Sequence, residues 1–495
     1  MISKKFFRSS LIYTIGGALS LLSTVIMLPF YTNLLTTSDF GALMLFISFS
    51  LFAQIITNFS LDTFIGVHYV EYSGQKEKLK EYIGTITVGL IIIGVVLSLL
   101  FLAVGHLLFE KVIQIKGYGF YPFGLMSVAT AIFNSYFRTY SNLLINQQKP
   151  ERFFWVNIFN FAITIVISLI GLHLYPYSLT GPMWGRFLSG VMIFLLAYYM
   201  LRKEFGMRFS RNLLREIYDF CLPITLFSLI TWCFSYLDRF IINHFMPVSE
   251  VGIYDFAVKF TLIIEFVQNG LATAITPKIF SIWKADRENQ NYKIINRYYN
   301  AFTAISLLLV PVVVILIPIV IPFIVSKKDF YRSFDYLPLI SLGFVFRVLF
   351  FLFINPIYYF KKTRVLPRIF FLSTVLQIGL SIVLIKYFGL PGAVWACLIG
   401  KPLQTFLLFL ETRKIIELNF NKMKLLGLPL IFSVFFIALE LAVPRNYSLW
   451  AHILDLVIAI VLVIAVYKNE LRELLAQLLS KVSFFRKNKI VPPAN

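Results

Sequence analysis

Residues 83–109 read IGTITVGLIIIGVVLSLLFLAVGHLLF, a run that holds no Asp, Glu, Lys or Arg. At 1.5 Å of rise per residue, a helix made from it is longer than the roughly 20 residues that cross about 30 Å of hydrocarbon. Outward from this run the same pattern returns at 10–30, 40–65, 119–146, 153–175, 179–201, 220–245, 250–276, 301–325, 337–360, 366–387, 391–410, 425–444 and 450–467. The fold class is therefore an all-α polytopic membrane protein with about 14 transmembrane helices. Composition agrees: 59% of residues are hydrophobic and the mean hydropathy is +0.80, whereas a soluble domain uses about 45–50% apolar residues.

The formal charge of +21 points either to nucleic acid or to basic loops on one side of a membrane, and its placement decides. Lys and Arg gather in alternate connections, at 66–82, 147–152, 202–219, 277–300, 361–365 and 411–424, and at the basic ends of the chain. This predicts cytoplasmic termini and no nucleic-acid partner. The basic start, Met1 to Arg8, runs into a span long enough to cross and is expected to stay as the first helix rather than be cleaved. The tail at 468–495 mixes Leu471, Leu474, Leu475, Leu478 and Leu479 with Arg472, Lys481, Arg486 and Lys487, as expected of an amphipathic helix resting on anionic phospholipids. Cys221, Cys233 and Cys397 lack the spacing of a metal or redox site, so neither a metal nor a disulfide is expected. No phosphate-binding Gly-x-x-x-x-Gly-Lys-Ser/Thr loop occurs, so the chain is not expected to use ATP directly.

The chain also repeats itself. Thr37-Ser38-Asp39-Phe40-Gly41 returns as Val248-Ser249-Glu250-Val251-Gly252, an offset of 211, and Thr180-Gly181-Pro182-Met183-Trp184 returns at the same offset as Pro391-Gly392-Ala393-Val394-Trp395. Arg138 and Asn146 correspond to Arg347 and Asn355 at a slightly shorter spacing. Six helices separate the copies, an even number, so the two six-helix repeats are parallel about an axis along the membrane normal. The expected organisation is an N-lobe at 1–210, a C-lobe at 211–415, two appended helices at 416–467 and the tail, with binding between the lobes.

Ionisable side chains inside the spans cost roughly 2.5–3.5 kcal/mol each at mid-membrane unless they face water or one another. Ser50, Gln54, Asn58 and Asp62 recur every fourth residue, on one face of a helix, and the offset of 211 gives Thr261, Glu265, Asn269 and Thr273 in the second half. Thr130, Asn134, Arg138, Ser141 and Asn142 make a similar face. These faces are expected to line one transport path. Arg138, Arg239, Arg347 and Lys401 are its candidate cations for an anionic, phosphate-bearing passenger, since guanidinium groups pair bidentately with phosphate. The other reading is that each arginine neutralises a carboxylate or ties helices together, most plainly for Arg239 beside Asp238. Gln54, Asn58, Asn134 and Asn269 are the candidate hydrogen-bonding groups. Asp62 and Glu265 are the candidate sites of a coupling proton or sodium ion. Asp255 and Lys259, four apart, are expected to pair structurally.

Three motifs carry a resemblance: Leu28-Pro29-Phe30-Tyr31-Thr32-Asn33-Leu34 before Asp39-Phe40-Gly41; Leu237-Asp238-Arg239 before Val251-Gly252-Ile253-Tyr254; and Lys361-Lys362-Thr363 before Gly389-Leu390-Pro391-Gly392-Ala393. In this order the sequence resembles the Wzx-type polysaccharide and O-antigen flippases, in the superfamily that also holds the MATE drug exporters and the MurJ-type lipid II flippases. The resemblance implies a non-enzymatic, multi-pass protein of a bacterial cytoplasmic (inner) membrane. It would carry an undecaprenyl-pyrophosphate-linked oligosaccharide to the outer leaflet by alternating access, coupled to an ion and without a cofactor. It also implies a monomer working beside a glycan polymerase and a chain-length regulator. Lipid II or a teichoic acid precursor is an alternative cargo. A polymerase or ligase is the rival class, but such enzymes commonly need a sizeable external domain. The longest external connection here, Ser326 to Tyr336, has room for only a turn or two, and Asp39 in the first one fits a helix cap.

Overall fold

A computed structural model describes residues 4–115, 117–285, 292–417, 419–443 and 448–487, and within these the chain is helical with no strand. The helices are α1 (Lys4–Leu34), α2 (Thr37–Asn58), α3 (Leu61–Ser73), α4 (Lys76–Leu108), α5 (Leu125–Asn146), α6 (Pro150–Leu174), α7 (Thr180–Phe205), α8 (Leu213–Phe245), α9 (Val248–Ala285), α10 (Tyr292–Val320), α11 (Leu337–Leu342), α12 (Arg347–Tyr359), α13 (Leu366–Phe388), α14 (Leu390–Thr412), α15 (Leu428–Ala442) and α16 (Ser448–Lys487). Among the described residues eleven helical segments are long and apolar enough to cross a membrane. Neither α5 nor α9 is one of them; α5 carries Asn134, Arg138 and Asn142, and α9 carries Asp255, Lys259, Glu265 and Asn269.

The chain divides into two compact units. The first runs through Asp255 and includes 325–330. In it α5 is central, packed on α2, α3, α4 and α7, while α6 lies along α7 and α1. Phe64, Tyr82, Tyr136 and Tyr140 fill the core between these helices. Burying a phenol costs little where its hydroxyl keeps a partner, and Tyr82 donates to the Phe64 carbonyl at 2.9 Å and Tyr136 to the Thr87 carbonyl at 2.8 Å. The second unit holds 256–324 and 331–495. There α13 lies along α14, α12 packs on α14, and α16 runs against α10.

The second expected span is broken. Phe59 (φ 46°) and Ser60 (φ 54°) are consecutive left-handed residues that end α2 at Asn58 and restart the chain as α3 at Leu61. Such positions cost about 1–3 kcal/mol each for residues other than glycine and persist where the surroundings hold them. Here the Ser60 hydroxyl is 2.9 Å from the Thr225 hydroxyl of α8. Broken helix backbone at membrane depth is tolerated when it is buried in protein, and Asn58 and Ser60 are both buried.

Within the first unit the starts of α2 and α9 cross in backbone contact. A Cβ on Gly41 would sit 2.1 Å from the Val248 carbonyl oxygen, and one on Gly252 would sit 2.2 Å from that of Thr37. Gly41 and Gly252, like Thr37 and Val248, are 211 apart, so the contact is reciprocal under the offset read from the sequence. The cap of α2 is Thr36 rather than Asp39, which is its capping-box partner in the first turn: the Asp39 backbone N–H donates to Thr36 Oγ1 at 3.1 Å, and the Asp39 carboxylate accepts from the Thr36 N–H at 3.3 Å and from the Tyr118 hydroxyl. The connection expected to be external holds a short 3₁₀ segment, Lys328–Asp335. The tail continues α16 to Lys487; its side chains beyond Glu470, Arg472 aside, lie outside the described residues.

Candidate functional site

In the first unit the break after α2 decides where the acid goes. Asp62 falls in the first turn of α3, where the free N–H groups of a helix start favour an anion. Arg138 of α5 donates from Nε to Asp62 Oδ2 at 2.7 Å, and Asn142, one turn further along α5, donates to the same oxygen at 3.1 Å. The exposures are unequal: the Asp62 side chain is 3% exposed and that of Arg138 is 56%. Because the bond uses Nε, the outer edge of the guanidinium is left pointing away from its anchor.

The rest of the polar face of α2 meets α5 rung by rung. Ser50 donates to the Ser127 carbonyl at 2.9 Å, Ser135 to the Gln54 carbonyl at 3.4 Å, and Asn58 to the Thr139 hydroxyl at 3.4 Å. Ser50 and Asn58 are buried in this seam, while Gln54 and Asn134 are half-buried. The stripe thus serves first as a hydrogen-bonded joint between two helices.

In the second unit Arg347, at the start of α12, donates from one terminal nitrogen to Glu265 Oε1 at 2.9 Å and to Asn269 Oδ1 at 3.0 Å, joining three residues the sequence had set apart. Here the cation is the more enclosed partner, 21% exposed against 38% for Glu265. The other terminal nitrogen of Arg347 is buried without a hydrogen-bond partner. An N–H group left so costs about 1–3 kcal/mol, which an oxygen ligand would recover. Lys401 of α14 stands with its Nζ 3.6 Å from the centroid of the Phe344 ring, and the Arg347 guanidinium lies 5.7 Å from the same centroid.

Arg239 takes the structural course. It is buried in the first unit, with Nε donating to Asp255 at 2.7 Å and a terminal nitrogen to Asp238 at 2.9 Å, while the Tyr254 hydroxyl donates to Asp238 at 2.6 Å. Asp255 therefore meets Arg239 across the α8–α9 turn, a contact that local spacing with Lys259 did not suggest. Arg138, Arg239 and Arg347 each hold a carboxylate, so pairing cancels much of their formal positive charge and leaves oriented N–H donors instead.

Two participants went unread in the sequence. Gln268, fully buried, donates to the Ser306 hydroxyl at 3.0 Å and to the Phe344 carbonyl at 2.9 Å, fixing the residue under both cations. Its signal was an amide three residues after Glu265 in an apolar run. Phe344 itself carried no signal, since nothing separates it from the other phenylalanines of this chain. Among the described residues no cluster of His, Cys, Asp and Glu could hold a metal.

Residues 6–283 match the polysaccharide biosynthesis protein family. The chain belongs to that family. Among curated proteins it is 20% identical over 428 residues to an Lsg locus protein of Haemophilus influenzae, covering 83% of this chain and 99% of that one. Among solved structures it is similar to the lipid II flippase MurJ in an inward closed conformation, with 16% identity, a TM-score of 0.70, and 96% of this chain and 100% of the other aligned. It is also similar to an inward-facing MATE-family multidrug resistance transporter of the MOP superfamily, with 16% identity, a TM-score of 0.60, and 83% of this chain and 98% of the other aligned. At these identities the likeness establishes a shared fold. This family member is thus a multi-pass membrane protein with a MurJ- and MATE-like transporter fold.

Proposed function

We propose that the chain is a flippase that moves an undecaprenyl-pyrophosphate-linked oligosaccharide from the cytoplasmic to the periplasmic leaflet of a bacterial inner membrane by alternating access. The observation that carries this reading is the pair of arginines, Arg138 and Arg347, each anchored by a carboxylate and an amide with part of its guanidinium left unbonded, in a chain of the polysaccharide biosynthesis family. Anchoring and ligand binding do not compete at Arg138, which is held through Nε and offers a pyrophosphate its other edge, already oriented; the unbonded nitrogen of Arg347 is buried and would meet one only after its surroundings open. Lys401 adds a point charge, and Gln54, Asn134 and the exposed Asn269 offer amides to sugar hydroxyls. A proton or sodium ion would act at Glu265 or Asp62, where it would compete with the arginine for the carboxylate and so couple to its release. In this reading the molecule has fourteen spans in two parallel repeats plus an appended pair, with both termini cytoplasmic. It works as a monomer that hands its cargo to a glycan polymerase and chain-length regulator.

The reading is tested by deleting the gene, analysing lipid-linked glycans, and complementing with Arg138→Ala or Arg347→Ala at matched expression. Unflipped precursor should accumulate inside, and neither variant should clear it. Short unpolymerised glycan displayed outside would instead indicate a polymerase. The extent of the MurJ likeness favours lipid II as a second cargo; accumulation of lipid II in the deletion strain would select it.

A further inference from the structure

In the second unit an apolar groove of about 560 Å³ lies between α12, α14 and the segment that leads into α15. Phe353, Phe406, Phe409 and Phe420 form much of its wall, with Leu426 and Leu430 opposite. The Phe353 ring centroid is 5.3 Å from that of Phe409 and 5.8 Å from that of Phe420, while Phe406 and Leu430 remain exposed, as a surface facing hydrocarbon does. Two cations also line the groove, Arg413 just past the end of α14 and Lys422 just before the turn into α15.

The four cations of this connection divide in two. Lys414 donates to Glu411 at 2.8 Å and Lys424 to Glu470 at 2.6 Å, so both are neutralised by the protein. Arg413 and Lys422, the two that line the groove, have no ion-pair partner among the described residues and are exposed. An apolar slot ending in two uncompensated cations matches one kind of membrane molecule: an acyl chain attached to a phosphate.

We propose that this groove holds one acyl chain of an anionic glycerophospholipid, with the lipid phosphate between Arg413 and Lys422. At about 30 Å³ per methylene-sized group, the share a water molecule has in the liquid, the groove takes roughly 18 carbons. That suits one acyl chain, with the rest of the lipid in the surrounding hydrocarbon, and anionic glycerophospholipids are the phosphate-bearing lipids that a membrane supplies in bulk to a basic site. The site goes beyond the transport reading and is separate from the Arg347–Glu265 pair, but it touches the same helix: Phe346 and Leu349, on either side of Arg347 in sequence, line the groove. A resident lipid would buttress the start of α12.

The test is native mass spectrometry of the full-length chain in micelles containing phosphatidylglycerol or phosphatidylcholine of matched acyl length. The wild type should retain phosphatidylglycerol selectively. Arg413→Gln with Lys422→Gln should weaken retention about thirtyfold, from two cations each worth about fivefold at an anionic surface, while Lys414→Gln should leave it unchanged. Leu426→Trp, which fills the groove with both charges intact, should also displace the lipid and serves if the double variant fails to fold. Equal retention of phosphatidylcholine, undiminished retention by the double variant, or displacement by an equal concentration of undecaprenyl phosphate would overturn the proposal, the last by giving the groove to the carrier.

Discussion

Arg138 with Asp62 and Arg347 with Glu265 use corresponding arginines and non-corresponding acids. Under the offset of 211 Glu265 answers to Gln54, not to Asp62, so the acid has moved by eight residues, about two helical turns, between the halves. The exposures reverse with it. In the first unit a buried acid holds an exposed cation; in the second a half-buried cation holds an accessible acid. The same arginine is thus used differently: Asp62 is an anchor that water hardly reaches, while Glu265 can exchange with solvent. If one carboxylate is to bind and release a coupling ion, Glu265 is the better placed.

The contrast breaks most sharply at Arg138. Arg138→Ala leaves Asp62 buried with only Asn142 as donor, and breaking a buried pair this way costs about 3–5 kcal/mol. The expected result is a large drop in the thermal midpoint of the purified protein, whereas Asp62→Asn, which leaves an arginine that can turn to water, should cost about 1 kcal/mol. Equal losses from the two would mean that Asp62 is not sealed.

Gly41→Ala and Gly252→Ala probe the likeness of the halves rather than their difference. Each Cβ would press on a backbone carbonyl, and overpacking of this kind costs about 1–3 kcal/mol. The two should lower the midpoint alike; a clearly unequal pair would speak against a duplicated contact. Arg347→Ala should change stability by less than about 1 kcal/mol, because Glu265 is open enough to be hydrated, yet it should stop clearance of the lipid-linked precursor. The smallest effect is expected from adding Gln54→Glu to Asp62→Asn, which gives the first half the acid position of the second. Partial recovery of the midpoint would show the two arrangements to be interchangeable, and none would show that the helix break commits Arg138 to Asp62.

The membrane fold was legible because hydrocarbon imposes a rule on the sequence alone: a spanning helix must be apolar for about 20 residues wherever it lies. The family was legible for a related reason, since its motifs are short runs at connections and helix starts, such as Asp39 before Phe40 and Gly41. The same logic failed at 40–65, where a helix-long apolar pattern concealed the left-handed turn at Phe59 and Ser60. No glycine or proline marks that turn, which is held by contacts such as Ser60 to Thr225, 165 residues away.

The candidate polar residues were likewise visible as residues, because an ionisable or amide group among apolar neighbours stands out. Their partners were not. Asp62 meets Arg138 across 76 positions and Glu265 meets Arg347 across 82, and the rotation of each helix about its axis decides both pairings. Sequence by itself determined that this chain lives in a membrane, which family it belongs to, and that charge is buried in its helices. Only the tertiary structure decided which of those charges are paired and which edges stay open, because an ion pair depends on distances of a few ångströms that packing sets.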